Sequence, residues 1–327
     1  MTRSRLYKLR IKFNELRSAP QKLAQFRALL EGLREVPREL SRASKDVKDF
    51  SRELKRVYAE LRRIELRFDG VLRHLYFDAQ QLTPPADLTW QRFKVYSQNG
   101  EDGLTLALLK RIGFGAGRFV DIGCGPMGGN ARFFAEEFGW SGLFVDAREQ
   151  VKKLEAQLRP GQVTALATWI TRDNVDSLVR DHGFDGEIDL LSIDLDGNDY
   201  WIWEALTACS PRIAIVEYNS FFGPDRAVTV PYLESFDRHE RDRRYYGASL
   251  AALVALARQK GYRLVAVEPA GVNAFFLRDD VAPEIPGFRA DQLYRPQAKH
   301  HMEMTQRGFD PIEAFTPENG LPLIDVA

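Results

Sequence analysis

From residue 90 onward, short apolar runs alternate with amphipathic segments, and that alternation restricts the fold more than anything else in the chain. The runs are RFVDIGC (118–124), GLFVDA (142–147), QVTALAT (162–168), IDLLSID (188–194) and PRIAIVEY (211–218). A strand–helix–strand series of this kind makes a parallel sheet with helices on both faces. GYRLVAVEPAGVNAFFLR (261–278) follows, two strands about a Pro/Gly turn, which predicts an antiparallel hairpin at the sheet edge. The expected class is therefore α/β and Rossmann-like: five parallel strands plus an antiparallel edge hairpin.

The first part of the chain has another period. From Phe26, apolar residues recur at Leu29, Leu33, Val36, Leu40, Ala43, Val47, Phe50, Leu54, Val57, Leu61, Ile64, Phe68, Val71 and Leu75, alternating three and four apart. Sustained heptads predict an N-terminal α-helical coiled coil and hence a homo-oligomer. A helix folded back on the rest of the chain is the plainer reading. Pro37 starts or kinks the regular helix. Residues 1–65 carry 18 Lys/Arg against 9 Asp/Glu in a chain of zero net charge, so the arm is basic. A solvated outer face explains Lys48, Lys55, Arg56, Arg62 and Arg63; peripheral contact with an anionic membrane or glycan is the sharper alternative. No nucleic-acid partner is expected.

Adjacent prolines in LTPPADL (82–88) end the arm. The expected organisation is an arm (1–81), a linker (82–95), a catalytic domain (96–280) and a C-terminal tail (281–327). Within the domain, residues 218–246 form a long insertion, read as an acceptor-binding lid. Two cysteines, Cys124 and Cys209, are too few for a disulfide framework, and no apolar run is long enough to span a membrane. With no secretory signal in the basic N-terminus, a cytoplasmic location is expected.

The loop after the first strand, DIGCGPMGGN (121–130), contains Gly123-x-Gly125-x-x-Gly128, and Asp146 ends the next strand, where it can bind ribose hydroxyls. Spacing alone admits a nicotinamide dinucleotide or S-adenosylmethionine. Asp121 favours the second. A carboxylate there would oppose a pyrophosphate, whereas it favours an ammonium and a sulfonium. Five parallel strands and a terminal hairpin are also the layout of the class I methyltransferase fold.

YSQNGEDG (96–103) and GRFVDIGCGPMGGNARFFAEEFGWSGLFVDA (117–147) resemble the FkbM-type methyltransferases. Ser97, Gln98, Gly100 and Asp102 match the opening motif, and Asn130, Trp140, Gly142 and Asp146 match the rest, over roughly residues 96–206. The resemblance implies methyl transfer to a hydroxyl, often on a sugar or secondary metabolite. It adds Gln98 and Asn130 to Asp121, Gly123, Gly125 and Asp146 as cofactor-binding candidates. By their place in the entry loop, Glu101 and Asp102 either touch the cofactor's amino group or simply cap a helix. Where that group tends to have Asp-x-Glu-Gly-x-Glu, this chain reads Asp194-Leu195-Asp196-Gly197-Asn198-Asp199, each acid one methylene shorter.

For the chemistry, Asp194 ends the fourth strand, Asp196 follows it, and Glu217 ends the fifth. Together they resemble an oxygen-rich site for Mg2+ or another divalent cation. His239, in FDRHERDRRYY, is a candidate base by its titration range, although a His in so charged a loop is usually just exposed. Asp196 and Asp199 could instead only favour a helix N-terminus. The Asp194–Asn198 spacing imitates the start of an EF-hand, but Asp199 stands where that loop needs glycine. Trp201 and Trp203 read as packing aromatics, and His300 and His301 as part of a surface tail.

Two functions compete: an S-adenosylmethionine-dependent O-methyltransferase acting on a glycan or small hydroxylated metabolite, and a non-catalytic scaffold for glycan assembly. Removing residues 1–80 is expected to give a smaller oligomer with a folded domain; light scattering that finds the assembly state unchanged would refute the coiled coil.

Overall fold

The computed structural model describes residues 24, 28, 31, 49–61, 64 and 85–326. The chain divides into two compact units, Met1–Leu72 and Arg73–Ala327. In the first, residues 49–61 are helical. Of the heptad seam, Phe50, Val57 and Ile64 are exposed and Leu54 and Leu61 half-buried; its other positions, and Pro37, lie outside the described residues. No helix among the described residues is long and apolar enough to cross a membrane.

The second unit is built on a mostly parallel sheet of seven strands: β1 (Arg118–Ile122), β2 (Ser141–Asp146), β3 (Val163–Ala167), β4 (Gly186–Ile193), β5 (Cys209–Glu217), β7 (Tyr262–Val267) and β8 (Asn273–Arg278), in the order β3-β2-β1-β4-β5-β8-β7. β8 pairs antiparallel with both β5 and β7, so it alone is reversed. The five parallel strands and the edge hairpin thus form where the sequence pattern puts them. Helices α1 (Glu101–Ile112), α2 (Arg132–Phe138) and α3 (Lys153–Gln157) cover one face; α4 (Val175–Asp181), α5 (Asp199–Ala205) and α6 (Leu250–Gln259) cover the other.

Alternation along the strands fixes the site. Val120 and Ile122, Leu143 and Val145, Leu191 and Ile193, and Ala214 and Val216 pack under α4–α6. Phe119, Phe144, Leu190 and Ile215 pack on the α1 side. A period of two therefore sends Asp121, Asp146, Ser192 and Glu217 to the α1 side as well. The carboxylates at the strand ends share one face because the apolar residues before them do.

The stretch after Asp280 is not the expected surface tail. Helix α7 (Ala298–Gln306) and the residues beyond it form a third core with the 218–246 insertion: Phe221, Phe222, Phe236, Tyr245 and Tyr246 from the insertion meet Phe315, Phe309 and Leu323. A small antiparallel ladder joins β6 (Val228–Thr229) to β9 (Ile324–Asp325). His300 is buried, stacked on Phe221 at 3.8 Å with Nδ1 2.8 Å from Ser220 Oγ. These segments are apolar at irregular intervals, which is why no period announced them. Phe315→Ala is expected to cost about 3 kcal/mol by urea unfolding, the scale of a core phenylalanine, whereas a surface tail would change stability by less than about 0.5 kcal/mol.

Candidate functional site

The strand order reverses between β1 and β4, and a crevice at the carboxyl ends of such strands is the usual ligand site of an open α/β sheet. The glycine loop after β1 is tied down there. Gly123 and Cys124 both donate to the Val145 carbonyl, at 2.7 and 3.3 Å. Gly123 has φ 81°, and a β-carbon on it would lie 1.7 Å from the Asp194 carbonyl oxygen. Glycine is needed at 123 because the β4 end crosses it, besides any approach by a ligand.

Asp121 is buried under this loop, and its Oδ2 accepts from Ala131 N at 2.9 Å. Asn130 donates to Ser192 Oγ at 3.1 Å, stitching the loop to β4. Arg132 reaches the Met127 carbonyl and Gln157, and its guanidinium lies over Tyr96. The hydrogen bonds of Asp121 and Asn130 are thus spent on shaping the loop.

Asp146 accepts from Gly125 N at 2.8 Å, but Arg148 dominates it. Arg148 Nε and Nη2 bind its two oxygens at 2.7 and 2.8 Å, and Arg148 N adds a bond at 2.8 Å. Burial alone would raise the Asp146 carboxyl; the Arg148 guanidinium outweighs it and holds the group below the usual range. The Arg148 side chain is 59% exposed, so it covers Asp146 from the solvent side. Its place two residues past a strand-end acid was the one sequence signal for it.

Asp194, Asp196 and Glu217 come together as expected, with ligand oxygens within 4.8 Å of one another. Glu217 is buried and Asp194 half-buried, and burial first, then the neighbouring carboxylates, push both far above the usual range. The two side chains hydrogen-bond when one is protonated. With both ionised, Glu217 Oε2 is buried without a donor. Asp196 is exposed in a left-handed conformation, φ 54°. Arg238 from the insertion reaches it, Nη1 to Oδ1 at 2.5 Å.

Asp199 divides from the other acids as position predicted. It opens α5 fully buried, accepting from Leu195 N at 2.7 Å and Gly197 N at 3.0 Å, and so shapes the loop. The insertion closes over that loop. Phe236 lies where a β-carbon on Gly197 would fall, the Leu233 carbonyl accepts from Asn198 Nδ2, and the Val230 carbonyl accepts from Trp201 Nε1. Trp203 is a core residue, packed on Tyr262 and Phe276.

His239 is not brought to the cluster. It is exposed, its backbone N bonded to Asp237, while its neighbour Arg238 takes the inward position. In the opening loop, Ser97 and Asp102 bond reciprocally: Asp102 N donates to Ser97 Oγ, and Asp102 Oδ2 accepts from the backbone of Val95, Tyr96 and Ser97. Glu101 is buried and accepts from Asn99 N at 2.7 Å and Asn273 Nδ2 at 2.9 Å, locking the loop to the start of β8. Gln98 is exposed beside it. Asn273, whose role the sequence left open, is the register partner of Glu217 across β5 and β8.

Burial raises the Asp121 carboxyl to about 7 from 3.8, only partly offset by its loop hydrogen bonds. A carboxyl raised on folding costs nothing below its unfolded value, and its penalty grows as pH rises toward the folded value. Asp121→Asn keeps an acceptor for Ala131 N without the charge. Its stability relative to the unsubstituted protein is therefore expected to improve by up to about 4 kcal/mol between about pH 4 and pH 8. Urea unfolding across that range checks it; a pH-independent difference would refute a buried, strained carboxylate. No family model matches this chain, and no curated protein matches it, so the chemistry of the site rests on the residues themselves.

Proposed function

We propose that the chain is an S-adenosylmethionine-dependent O-methyltransferase whose acceptor is a hydroxyl of a glycan or small hydroxylated metabolite. The observation that carries this reading is the sheet order with β8 alone reversed, which agrees with the class I methyltransferase layout. The glycine loop and Asp146 then flank the crevice on one side of the switch point, with Asp194 and Glu217 on the other. The resemblance of residues 96–206 to FkbM-type methyltransferases supports the same reading.

The site's electrostatics fit a cationic ligand. Asp121, Asp194 and Glu217 all have raised carboxyls, and a nearby positive charge relieves that cost. When bound, the methyl donor supplies an electrophilic methyl on a sulfonium. Asp146 would take the ribose hydroxyls, after Arg148 releases it. Asp194 and Glu217, whose burial and crowding raise their proton affinity, place a carboxylate at the ends of β4 and β5 to accept the acceptor's hydroxyl proton. The insertion, by covering the β4 end, excludes water and holds the acceptor oxygen in line. The basic heptad arm tethers or oligomerises the enzyme.

Calorimetry with S-adenosylmethionine tests this directly. Asp146→Ala is expected to weaken binding by roughly tenfold through lost charge-assisted hydrogen bonds, whereas Arg148→Ala retains it. Absence of binding at about millimolar cofactor, a weak Kd by any standard, would sink the enzyme reading and favour the scaffold.

A further inference from the structure

The β4 end holds charges that its surroundings leave unsatisfied. Among the described residues, three carboxylates converge there, and the cation in contact with them is Arg238, which touches Asp196. Two polar atoms nearby are buried without partners: Glu217 Oε2, on a side chain that points into the cluster, and Arg238 Nε. Arg238 comes from the insertion rather than the sheet, and its guanidinium also lies over the Tyr246 ring at 4.9 Å. It therefore has a resting place that does not depend on Asp196.

We infer that Asp194, Asp196 and Glu217 bind a hard divalent cation, and that Arg238 is the occupant this ion displaces from Asp196. The donors are all oxygen, the set suited to calcium, magnesium or manganese. Calcium bonds oxygen at about 2.3–2.6 Å, so opposite ligands stand about 5 Å apart. Ligand atoms within 4.8 Å of one another are on the scale of such a coordination shell; magnesium, at about 2.1 Å, takes a tighter one. One guanidinium offsets one carboxylate, whereas a doubly charged ion at the centre also meets the open oxygen of Glu217. The ion and Arg238 compete for the one negative charge of the Asp196 carboxylate. Binding the ion thus frees Arg238 on the lid, with donors available to an oxygen of an incoming ligand. The ion site stands apart from the methyl-donor reading, since it needs no donor to form.

The test is calorimetric titration of the full chain, cleared of metal with a chelator, with calcium, magnesium and manganese chloride and no methyl donor present. One ion per chain is expected. Glu217→Gln should weaken it tenfold or more; Asp196→Asn, on the exposed side, serves as the second variant should the first not fold. Arg238→Ala should bind the ion about three- to tenfold more tightly, because a competing cation has gone. No saturable binding of any of the three ions up to about 10 mM, beyond the weakest protein calcium modules, would overturn the site. Unchanged or weaker affinity in Arg238→Ala would overturn the exchange. Because the titration contains no methyl donor, its failure and a failure of donor binding are read separately.

Discussion

Like charge buried on one face is the constraint around which the rest of the domain is arranged. Four strands end in or near an acid, and the two-residue period of the sheet sends these groups to the same side. Desolvation penalises each, and proximity adds to the cost. The domain answers in three ways. Asp121, Asp199 and Asp102 are wrapped in backbone N–H donors from their own loops. Asp146 and Asp196 each receive an arginine. Asp194 and Glu217 receive neither, and share a proton or wait for a cation.

That division separates architecture from chemistry. Backbone N–H groups occupy one oxygen of Asp102 and of Asp121 and both of Asp199, so these acids order loops. Acids held by arginines are paired by side chains rather than by their own backbone, Asp146 by the mostly exposed Arg148 and Asp196 by Arg238 of the insertion. Ser97 and Asp102 match a motif of the resembled group, yet here they form a reciprocal cap on α1. A sequence motif at a site can mark what supports the chemistry rather than what performs it.

The sheet was legible because each strand is an uninterrupted apolar run bounded by turn residues, so that length and flanks alone locate it. The convergence of Asp194, Asp196 and Glu217 was legible because strand ends of adjacent parallel strands must lie side by side. What escaped is non-periodic. The third core draws Phe221, Phe222, Tyr245 and Phe315 from segments with no regular apolar spacing. The choice of Arg238 over His239 depends on which way one loop residue turns, and both sit in the same charged run. Titration range drew attention to the histidine; the fold gave the contact to its neighbour.

The pairing of the insertion with residues far downstream bears on the order in which the molecule is made. Tyr245 closes onto the Pro322 carbonyl 77 residues later in the chain, and β6 takes its ladder partner from Ile324–Asp325. At about 5–20 residues per second of synthesis, the sheet is complete for several seconds before the cover over its acidic edge has its other half. The third core therefore closes only after Phe309 to Asp325 have been synthesised.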